Sequence, residues 1–529
     1  MIYDGRSFLG GPSLNTQVCI VGTGQAGITL AWYLLDKGID VTLLEGSRVF
    51  SPGGPDNPVQ DAYLYNENEL LYNGQSLGLF ASNEPEFLIR PTPQYFNNTK
   101  ERERIYGGTS THWGGQARPL DPITFEKRPG FPGWPITRED LDPYYAEACK
   151  FVGLYGDYYA PDGAAGYNFT AEFWAKELGQ QVADMQGFDV DMYQFVPSQN
   201  LQFQARKVNG KTIGESNARV ILNATLLQIE NQGGSVSSLT IGVMSDDRQS
   251  PQKAGEFTIQ ADVYVLACGA VANARQLLLS DVGNEKDLVG RYLMGHPIAN
   301  KDGFPANAVS TNPNYLNPSE QQLLSYQNPN NIHPGKYPIS LVAGLLTPNA
   351  EAARANQSGR CWFGPSGTGN FYHGLLPARE SRITLSDMND PVFGQRQSKA
   401  IWVLSDDAAR NYNALTQLFK TAVQLKGGGP VSINDWDNVK TRMVFNGHHL
   451  GTTRMSETAA DGVVDQNLKV HSMDNLYCAG SSIWATAGIS NPTFSIITFS
   501  IRLAEHLASS LQENSTGGTT GLFKRAGDQ

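Results

Sequence analysis

The sequence predicts an α/β protein in which a discontinuous, Rossmann-like dinucleotide-binding domain is combined with a second, α+β domain that has a largely antiparallel sheet. Three observations support this fold class. A strand, a glycine-rich turn, a helix and another strand follow one another within the first 45 residues. Two later strand-like runs, ending near residues 266 and 478, also lead into small residues. The long stretches between these elements lack phosphate-loop glycines and are rich in aromatic residues and prolines.

The first unit has the pattern of a dinucleotide-binding βαβ element. Residues 18–21 form a continuous apolar run, as in a parallel strand that is covered on both faces, and the turn 22–27 (GTGQAG) follows directly. A helix is predicted over 26–37 and a strand over 41–44, which ends in Glu45. The glycines let backbone N–H groups approach a pyrophosphate, and the carboxylate accepts ribose hydroxyls. The candidate cofactor-binding residues of this unit are Gly22, Gly24, Gln25, Ala26, Gly27 and Glu45.

Two late segments complete the predicted sheet. Residues 261–270 read as a strand that ends in a small-residue turn, and a helix is predicted to begin at Asn273. Residues 475–482 read as another short strand that ends in glycine. Ala267 and Gly480 are therefore further candidate cofactor-binding residues. Strands that return so late mean that other structure is inserted into the cofactor domain, a layout typical of FAD proteins.

Several segments together resemble the glucose-methanol-choline (GMC) family of FAD-dependent oxidoreductases. The segments are the phosphate loop, 104–110 (RIYGGTS), 289–297 (VGRYLMGHP), 448–455 (HHLGTTRM) and 491–493 (NPT). They are spread over most of the chain. The resemblance implies that FAD is the cofactor and that Gly107, Gly108, Thr109 and Ser110 help to bind it.

Within that family, residues 110–113 (STHW) and 133–145 resemble the branch that contains pyranose oxidases, C-glycoside oxidases and glucoside 3-dehydrogenases. In pyranose oxidases the histidine of this motif carries the flavin through its 8α-methyl group, and His112 stands at that position. Covalent attachment of FAD through His112 is what this resemblance implies. Gly114 and Gly115 depart from the oxidase pattern and are also found in dehydrogenase-like members, so attachment stays open at this point.

Oxidation of an alcohol by a flavin needs a base for the hydroxyl proton and a C–H bond aimed at flavin N5. The resemblance selects His448 as this base, because the family histidine lies three residues before the Gly-Thr of H-x-x-G-T. His449 is then expected to be a packed residue. Asn491 corresponds to the second catalytic residue, whose amide holds the substrate oxygen. Asn491 and Thr493 also start a predicted helix, with Pro492 at its first position, whose positive end favours the reduced flavin.

The function implied is FAD-dependent oxidation of a secondary hydroxyl, at C2 or C3, of a sugar or glycoside to a ketone, with O2 or another electron acceptor. One alternative is a sugar dehydrogenase linked to a dye, a quinone or a cytochrome that does not use O2. A non-redox lyase of the same fold is another, although retention of His448 and Asn491 argues against it. A binding protein with a vestigial fold is expected to have lost the phosphate loop or His448, and both are present.

The motifs also predict domain boundaries. The FAD-binding domain is assigned to residues 1–60, 100–125, 205–300 and 440–515. The substrate-binding domain is assigned to residues 61–99, 126–204 and 301–439, and residues 516–529 are expected to form a flexible tail. Residues 313–338, rich in Asn, Gln, Tyr and Pro, fit either an active-site lid or a surface insertion.

Composition narrows the partners and the location. A net charge of −11, without a basic cluster, argues against nucleic-acid binding. The five cysteines are predicted to be buried thiols in a reducing compartment. No export signal and no apolar run of membrane-spanning length are visible, so a cytoplasmic location is expected, with export on a signal-bearing partner left open. The eight histidines are scattered, so no metal site is expected, and His296 is expected to be structural. A homo-oligomer is compatible with the sequence.

Overall fold

The computed structural model describes residues 1–47, 104–109, 113–178, 182, 186–197, 200–247, 250–299, 341–363, 371–425, 433, 435–439, 443–445 and 447–516. Its strands are β1 (Ile2–Asp4), β2 (Leu14–Val21), β3 (Val41–Leu44), β4 (Gln116–Ala117), β5 (Lys127–Arg128), β6 (Phe131–Pro132), β7 (Phe188–Phe195), β8 (Arg219–Leu222), β9 (Thr225–Gln232), β10 (Ser235–Met244), β11 (Lys253–Leu266), β12 (Pro297–Ala299), β13 (Leu341–Pro348), β14 (Cys361–Phe363), β15 (Phe371–His373), β16 (Arg382–Asn389), β17 (Arg396–Ile401), β18 (Met443–Phe445) and β19 (Leu476–Cys478). Its α-helices are α1 (Gln25–Asp36), α2 (Asp142–Val152), α3 (Ala171–Leu178), α4 (Ala270–Ser280), α5 (Ala350–Ala355), α6 (Asp406–Leu425), α7 (Trp436–Val439) and α8 (Pro492–Thr516).

The first sheet has the strand order β1-β8-β3-β2-β11-β10-β9, and β19 also pairs with β11. The pairs from β1 to β11, and the pair of β11 with β19, are parallel, whereas β10 pairs antiparallel with both β11 and β9. Residues 18–21 of β2 are fully or almost fully buried, as expected of a strand covered on both faces. The mixed α/β fold predicted from the sequence is therefore confirmed.

Strand β11 joins two parts of this sheet. Its first half pairs antiparallel with β10, while residues from Ile259 to Leu266 pair in parallel with β2. The sequence prediction placed the start of this strand at Ala261, so it missed the antiparallel half. Helix α4, which follows, begins at Ala270 and not at Asn273 as predicted. The parallel end of β11 brings its carboxyl terminus beside those of β2 and β19.

Helix α8 lies against α1 and α2 and also contacts β4. Its first turns are almost entirely buried, including Phe494 and Ile497. In α1 the buried side chains include Ile28, Leu30 and Leu34, so this helix is buried on more than one face. These two helices therefore form part of one core, with their N-termini near the same edge of the first sheet.

The second sheet has the order β18-β12-β15-β14-β13-β7-β4, and all of these pairs are antiparallel. This agrees with the antiparallel sheet predicted for the second domain. Three of its strands, β4, β12 and β18, come from segments that the sequence analysis assigned to the FAD-binding domain. The domain boundaries stay a prediction, and residues 313–338 and 517–529 lie outside the described residues.

The sequence analysis also predicted that the cysteines are buried thiols and found no apolar run long enough to span a membrane. Cys19, Cys149, Cys361 and Cys478 are buried free thiols, as predicted, whereas Cys268 is only partly buried. Burial raises the pKa of the Cys149 and Cys478 thiols to about 12, so both stay protonated at neutral pH. Within the described ranges, the helices are too short or too polar to cross a lipid bilayer.

Candidate active site

A cavity of about 700 Å³ lies along the carboxyl edge of the first sheet. The residues that follow three parallel strands line it, namely Gly22 after β2, Glu45 after β3 and Ala267 after β11. His448 and Asn491 line the same cavity. Ligands of open α/β sheets bind at this edge, and the volume is within the range of small-molecule and cofactor sites.

The phosphate loop is shaped by three glycines with different roles. Gly22 has a φ of +112°, and a Cβ atom there would lie 2.5 Å from the carbonyl oxygen of Ala267. A Cβ on Gly27 would lie 2.0 Å from the carbonyl oxygen of Gly22, so this glycine lets α1 pack closely on the loop. A Cβ on Gly24 would meet no atom within 4 Å. Because Gly24, Gln25 and Ala26 also line the cavity, the open space at Gly24 fits a pyrophosphate at the N-terminus of α1.

Glu45 is held by two donors at the end of β3. Thr23 donates from Oγ1 to Glu45 Oε2 at 2.5 Å, and the backbone N–H of Ser47 donates to Oε1 at 3.0 Å. Burial raises the pKa of this carboxyl, and the hydrogen bond from Thr23 opposes that shift. The arrangement places an acceptor group at the position where a dinucleotide ribose is bound in this fold.

The segment at 107–109 packs directly on the phosphate loop. The backbone N–H of Gly107 donates to Thr23 Oγ1 at 3.2 Å. Gly108 has a φ of +63°, and a Cβ there would come within 3.1 Å of the Cα atom of Gly24. Thr109 lines the cavity, as does Trp113. Two candidate residues between them, Ser110 and His112, lie outside the described residues.

The ends of β11 and β19 are tied together by one side chain. Asn273 accepts from the backbone N–H of Cys268 at 2.9 Å, and its amide nitrogen donates to the carbonyl oxygen of Ala479 at 2.9 Å. Gly480 follows with a φ of +90° and lines the cavity together with Ala267. Asn273 thus fixes the relative position of two predicted cofactor-binding segments.

Helix α8 begins at Pro492, as the sequence predicted, and its first turn faces the cavity through Thr493 and Ile496. The positive end of a long helix is therefore directed at the site. The side-chain nitrogen of Asn491 donates to Gln116 Oε1 on β4, at 2.5 Å. Asn491 is thus held from the second sheet, while Pro492 fixes the start of the helix.

A buried ion cluster lies next to Asn491 in the chain. Arg118 pairs with Asp121 at 2.6 Å and with Asp191 at 2.7 Å, and its Nη1 donates to Ser490 Oγ at 3.3 Å. Although burial opposes ionisation, Arg118 and Arg360 hold the pKa of Asp121 at about 2. Asp121 therefore stays ionised, whereas burial raises the pKa of Asp191, and the cluster holds the side chain of Ser490, the residue before Asn491.

His448 contacts a second histidine. Its Nδ1 atom lies 3.2 Å from Nδ1 of His296, and the two rings are nearly perpendicular, at 85°. Burial, together with the neighbouring His296 and His449, lowers the pKa of His448 well below its usual value. His448 is therefore a neutral imidazole at neutral pH, as a general base must be.

The positions of His449 and His296 agree only partly with the predictions from the sequence. His449 is buried near Trp402, with ring centroids 6.4 Å apart, and also lines the cavity. His296 is fully buried and was expected to be structural, yet it contacts the candidate base directly. His373 is also buried, and burial together with the neighbouring His296 lowers its pKa.

Sequence reasoning missed several residues of this site. They are Thr23, Arg104, Gln116, Asn273 and His296. Thr23 lies inside the glycine-rich turn, and its hydroxyl donates to the carboxylate of Glu45, which follows the next strand. A hydroxyl residue at this position of the turn could have been recognised from the sequence. Gln116 has no local signal, because tertiary packing of the second sheet brings it to the site.

Comparison with known proteins gives a family match in the C-terminal part of the chain. Residues 377–500 match the family described as GMC oxidoreductase. The chain is 21% identical to the fructose dehydrogenase large subunit of Gluconobacter japonicus, over 95% of this chain and 99% of that protein. It is 22% identical to the 2-methyl-1,2-propanediol dehydrogenase of Mycolicibacterium austroafricanum, over 93% of this chain and 95% of that protein.

A solved structure of similar fold is a variant of the formate oxidase of Aspergillus oryzae, studied for FAD modification. The TM-score is 0.53 at 17% identity, with 95% of this chain and 99% of that chain covered. This similarity shows a shared fold along nearly the whole chain. The matched C-terminal segment includes His448, Gly480 and Asn491, which line the cavity.

Proposed function

We propose that this chain, an FAD-dependent oxidoreductase with the fold and the C-terminal domain of the GMC family, oxidises a secondary ring hydroxyl of a sugar or glycoside to a ketone. The carbon oxidised is C2 or C3. The proposal includes the roles of His448 as the base and of Asn491 as the residue that holds the substrate oxygen.

One observation carries this proposal. A single cavity contains a dinucleotide-binding loop and Glu45 as well as a neutral histidine and an asparagine amide. The first two features fit the pyrophosphate and ribose of FAD. The other two fit an alcohol that must lose a proton while its carbon loses a hydride. A dinucleotide-binding protein without catalysis has no need for the second pair.

FAD, when bound, supplies the acceptor for the hydride at N5. The chain supplies the other requirements. His448 takes the hydroxyl proton, since its lowered pKa keeps it unprotonated before substrate binds. Asn491, held by Gln116, donates to the substrate oxygen as negative charge develops there. The N-terminus of α8 adds a fixed positive dipole beside the same cavity.

The sugar assignment has two supports. Residues 110–113 (STHW) resemble the branch that contains pyranose and glycoside oxidases. Fructose dehydrogenase is one of the relatives of this chain, at 21% identity. The choice of a secondary ring hydroxyl, and of C2 or C3, rests on the first of these supports.

A dehydrogenase that does not use O2 is the second candidate. It is favoured by the two relatives that carry this name, the fructose and 2-methyl-1,2-propanediol dehydrogenases. An oxygen electrode and a dye-linked assay, run with the same sugar, distinguish the two. Oxygen consumption at the rate of dye reduction favours the oxidase, and dye reduction without oxygen consumption favours the dehydrogenase.

Covalent attachment of the flavin through His112 belongs to the same proposal. Thr109 and Trp113, which flank residues 110–112, both line the cavity. An imidazole substituent on the flavin raises its reduction potential, which helps it to accept a hydride from an unactivated secondary alcohol. The bond also prevents loss of FAD.

The experiment that tests the function is anaerobic bleaching of the flavin absorbance by a panel of sugars, glycosides and plain alcohols. Bleaching by sugars, with the ketone identified by mass spectrometry and NMR, supports the proposal and gives the carbon. Bleaching by plain alcohols alone contradicts the sugar assignment. A flavin that none of these compounds reduces contradicts the redox assignment and favours a non-redox lyase.

A further inference from the structure

His296 has a hydrogen-bonding arrangement that defines which of its nitrogens carries a proton. Its Nε2 lies 3.3 Å from the carbonyl oxygen of Ala487 and 3.2 Å from that of Gly488. A carbonyl oxygen can only accept a hydrogen bond, so Nε2 of His296 must carry the hydrogen. Because two carbonyl oxygens lie near Nε2 of His296, either contact by itself is enough to place the hydrogen on this nitrogen.

The other nitrogen of His296 then acts as an acceptor. Burial lowers the pKa of His296 to about 4, so the ring carries a single proton at neutral pH. With that proton on Nε2, Nδ1 has a lone pair. Nδ1 of His448 lies 3.2 Å away, and a hydrogen bond between the two atoms requires His448 to donate.

We propose that His296 is a positioning residue that holds His448 as the tautomer protonated at Nδ1, so that Nε2 of His448 takes the proton of the substrate hydroxyl. This inference rests on the proposed function, because it concerns the same base. The inference assigns a role to His296, a buried residue that lies 152 positions before His448 in the sequence.

The tautomer matters because imidazole has only one basic nitrogen when it is neutral. In the other tautomer, Nε2 would carry the hydrogen and could not accept the substrate proton. The ring would also lose its partner at Nδ1, since two unprotonated nitrogens cannot bond to each other. The carbonyl groups of Ala487 and Gly488 therefore set the protonation of His448 through His296.

The same contact assists the proton transfer. When the substrate O–H bond breaks, the proton forms a new N–H bond at Nε2 of His448, and the hydride leaves the carbinol carbon with its electron pair for flavin N5. His448 is then an imidazolium that still donates from Nδ1 to His296. That hydrogen bond becomes charge-assisted and stronger, so it stabilises the transition state more than the ground state.

Other histidines act electrostatically on this pair. His296 and His449 act on His448, and His296 in turn acts on His373. Because His296 is neutral, it affects the protonation state of His448 differently from a charged acceptor. A carboxylate at that position would favour the imidazolium before substrate binds, whereas neutral His296 leaves His448 unprotonated.

Two substitutions of His296 separate this role from simple packing. In His296→Asn, the amide oxygen stands near the place of Nδ1, so an acceptor for His448 is kept. In His296→Gln, the amide nitrogen stands near the place of Nε2, so the donor to the carbonyls of Ala487 and Gly488 is kept and the acceptor is lost. His506→Gln, in the distal part of α8, is the control for a histidine substitution away from the cavity.

The quantity measured is the rate at which a sugar or glycoside substrate reduces the flavin under anaerobic conditions. It is measured from pH 5 to 9 in enzyme loaded with FAD. We expect His296→Gln to lower the maximal rate roughly 10- to 100-fold, with substrate affinity changed far less, as for other partners that orient an active-site histidine. His296→Asn should recover most of that loss. Rates in the opposite order, with Gln near wild type and Asn impaired, would mean that His296 serves only to satisfy the carbonyl groups.

A second measurement does not depend on turnover. In protein labelled with ¹⁵N-histidine, the imidazole nitrogens of His448, assigned by their loss in His448→Ala, report which nitrogen is protonated. The proposal expects protonated Nδ1 and unprotonated Nε2 in wild type and in His296→Asn, and a change in His296→Gln. Protonated Nε2 in the wild type overturns the proposal. This result stands even if no sugar reduces the flavin, a finding that would overturn the proposed function instead.

Discussion

Asn491 donates a hydrogen bond from its side-chain nitrogen to Oε1 of Gln116, with the two atoms 2.5 Å apart. The two residues are 375 positions apart in the chain. Gln116 belongs to β4, at the edge of the antiparallel sheet, and Asn491 immediately precedes α8. This bond fixes the plane of the Asn491 amide, so the second sheet orients a residue proposed to bind the substrate oxygen.

The first prediction concerns this bond. Gln116→Leu keeps the size of the side chain and removes the acceptor. We expect the maximal rate of flavin reduction to fall about 5-fold, since one neutral hydrogen bond contributes about 1 kcal/mol. FAD content should be unchanged, and stopped-flow measurements of the anaerobic reaction give the rate.

The double variant Gln116→Leu/Asn491→Ala shows whether Gln116 acts through Asn491. Once the amide of Asn491 is removed, loss of its partner should cost little more, so the double variant should react at nearly the rate of Asn491→Ala alone. Additive losses would mean that Gln116 contributes to the site independently of Asn491.

The second prediction concerns the base. In His448→Ala the substrate hydroxyl has no acceptor for its proton, so we expect reduction of the flavin by sugar to be abolished. FAD should remain bound, because the phosphate loop and Glu45 are not affected. Absorbance spectra give the FAD content, and photoreduction shows that the flavin itself can still be reduced. Reduction by sugar at the normal rate in this variant would remove His448 from the mechanism.

The part of the site that the sequence predicted is the part that is contiguous in the chain. Strand β2, the turn 22–27 and α1 lie in one segment, so hydrophobic pattern and glycine spacing were sufficient to place them. The contacts of His448 with His296 and of Asn491 with Gln116 join residues that are 152 and 375 positions apart in the chain. Hydrophobic periodicity within a segment carries no information about such distant contacts, so the family resemblance could indicate His448 and Asn491 but not their partners.

The misplaced start of β11 has a different physical cause. In residues 256–260 exposed and buried positions alternate, as in an antiparallel strand with one solvent-facing side. Residues 263–266 are all buried, as in a parallel strand covered on both faces. The continuous apolar run was recognised as a strand, whereas the alternating part was not. The burial pattern differs between the two parts of β11 because the first part pairs with β10, whereas the second part pairs with β2 and β19.

The third prediction concerns stability and pH. Burial lowers the pKa of His296 to about 4 and that of His373 to about 3. Between the usual histidine pKa of about 6.5 and these values, the unfolded chain binds protons that the folded protein does not, so the free energy of unfolding falls as the pH falls. Each group contributes a slope of about 1.4 kcal/mol per pH unit in this window.

The variant His373→Asn tests that slope. Denaturant unfolding between pH 4.5 and 8, at constant FAD concentration, should show a shallower loss of stability in the variant below about pH 6. Above about pH 7 the two proteins should have parallel curves, because neither state binds a proton there. An unchanged slope at low pH would mean that His373 is protonated as readily in the folded protein as in the unfolded chain.

The fourth prediction concerns attachment of the flavin. If His112 forms the covalent bond, acid precipitation of the wild-type protein leaves the yellow colour in the pellet, because only a covalent bond survives unfolding. The same treatment of His112→Ala should release the flavin into the supernatant. Wild-type colour in the supernatant would contradict attachment, while colour retained in the pellet of both proteins would place the bond at another residue.

The last prediction uses two glycines of the phosphate loop as a matched pair. A Cβ on Gly27 would lie 2.0 Å from the carbonyl oxygen of Gly22, whereas a Cβ on Gly24 would meet no protein atom within 4 Å. Gly27→Ala should therefore disturb the packing of α1 and lower the melting temperature of the protein even without FAD. Gly24→Ala should fold normally, because its backbone φ of −69° suits alanine.

The difference between the two variants should appear in the cofactor. Gly24 lines the cavity at the N-terminus of α1, so its added methyl group competes with the pyrophosphate for space. We expect Gly24→Ala to show a normal melting temperature as apoprotein but a lower FAD content and weaker FAD binding in titrations. Equal melting temperatures for both apoproteins would contradict the packing role of Gly27. Normal FAD binding by Gly24→Ala would show that the pyrophosphate lies elsewhere in the cavity.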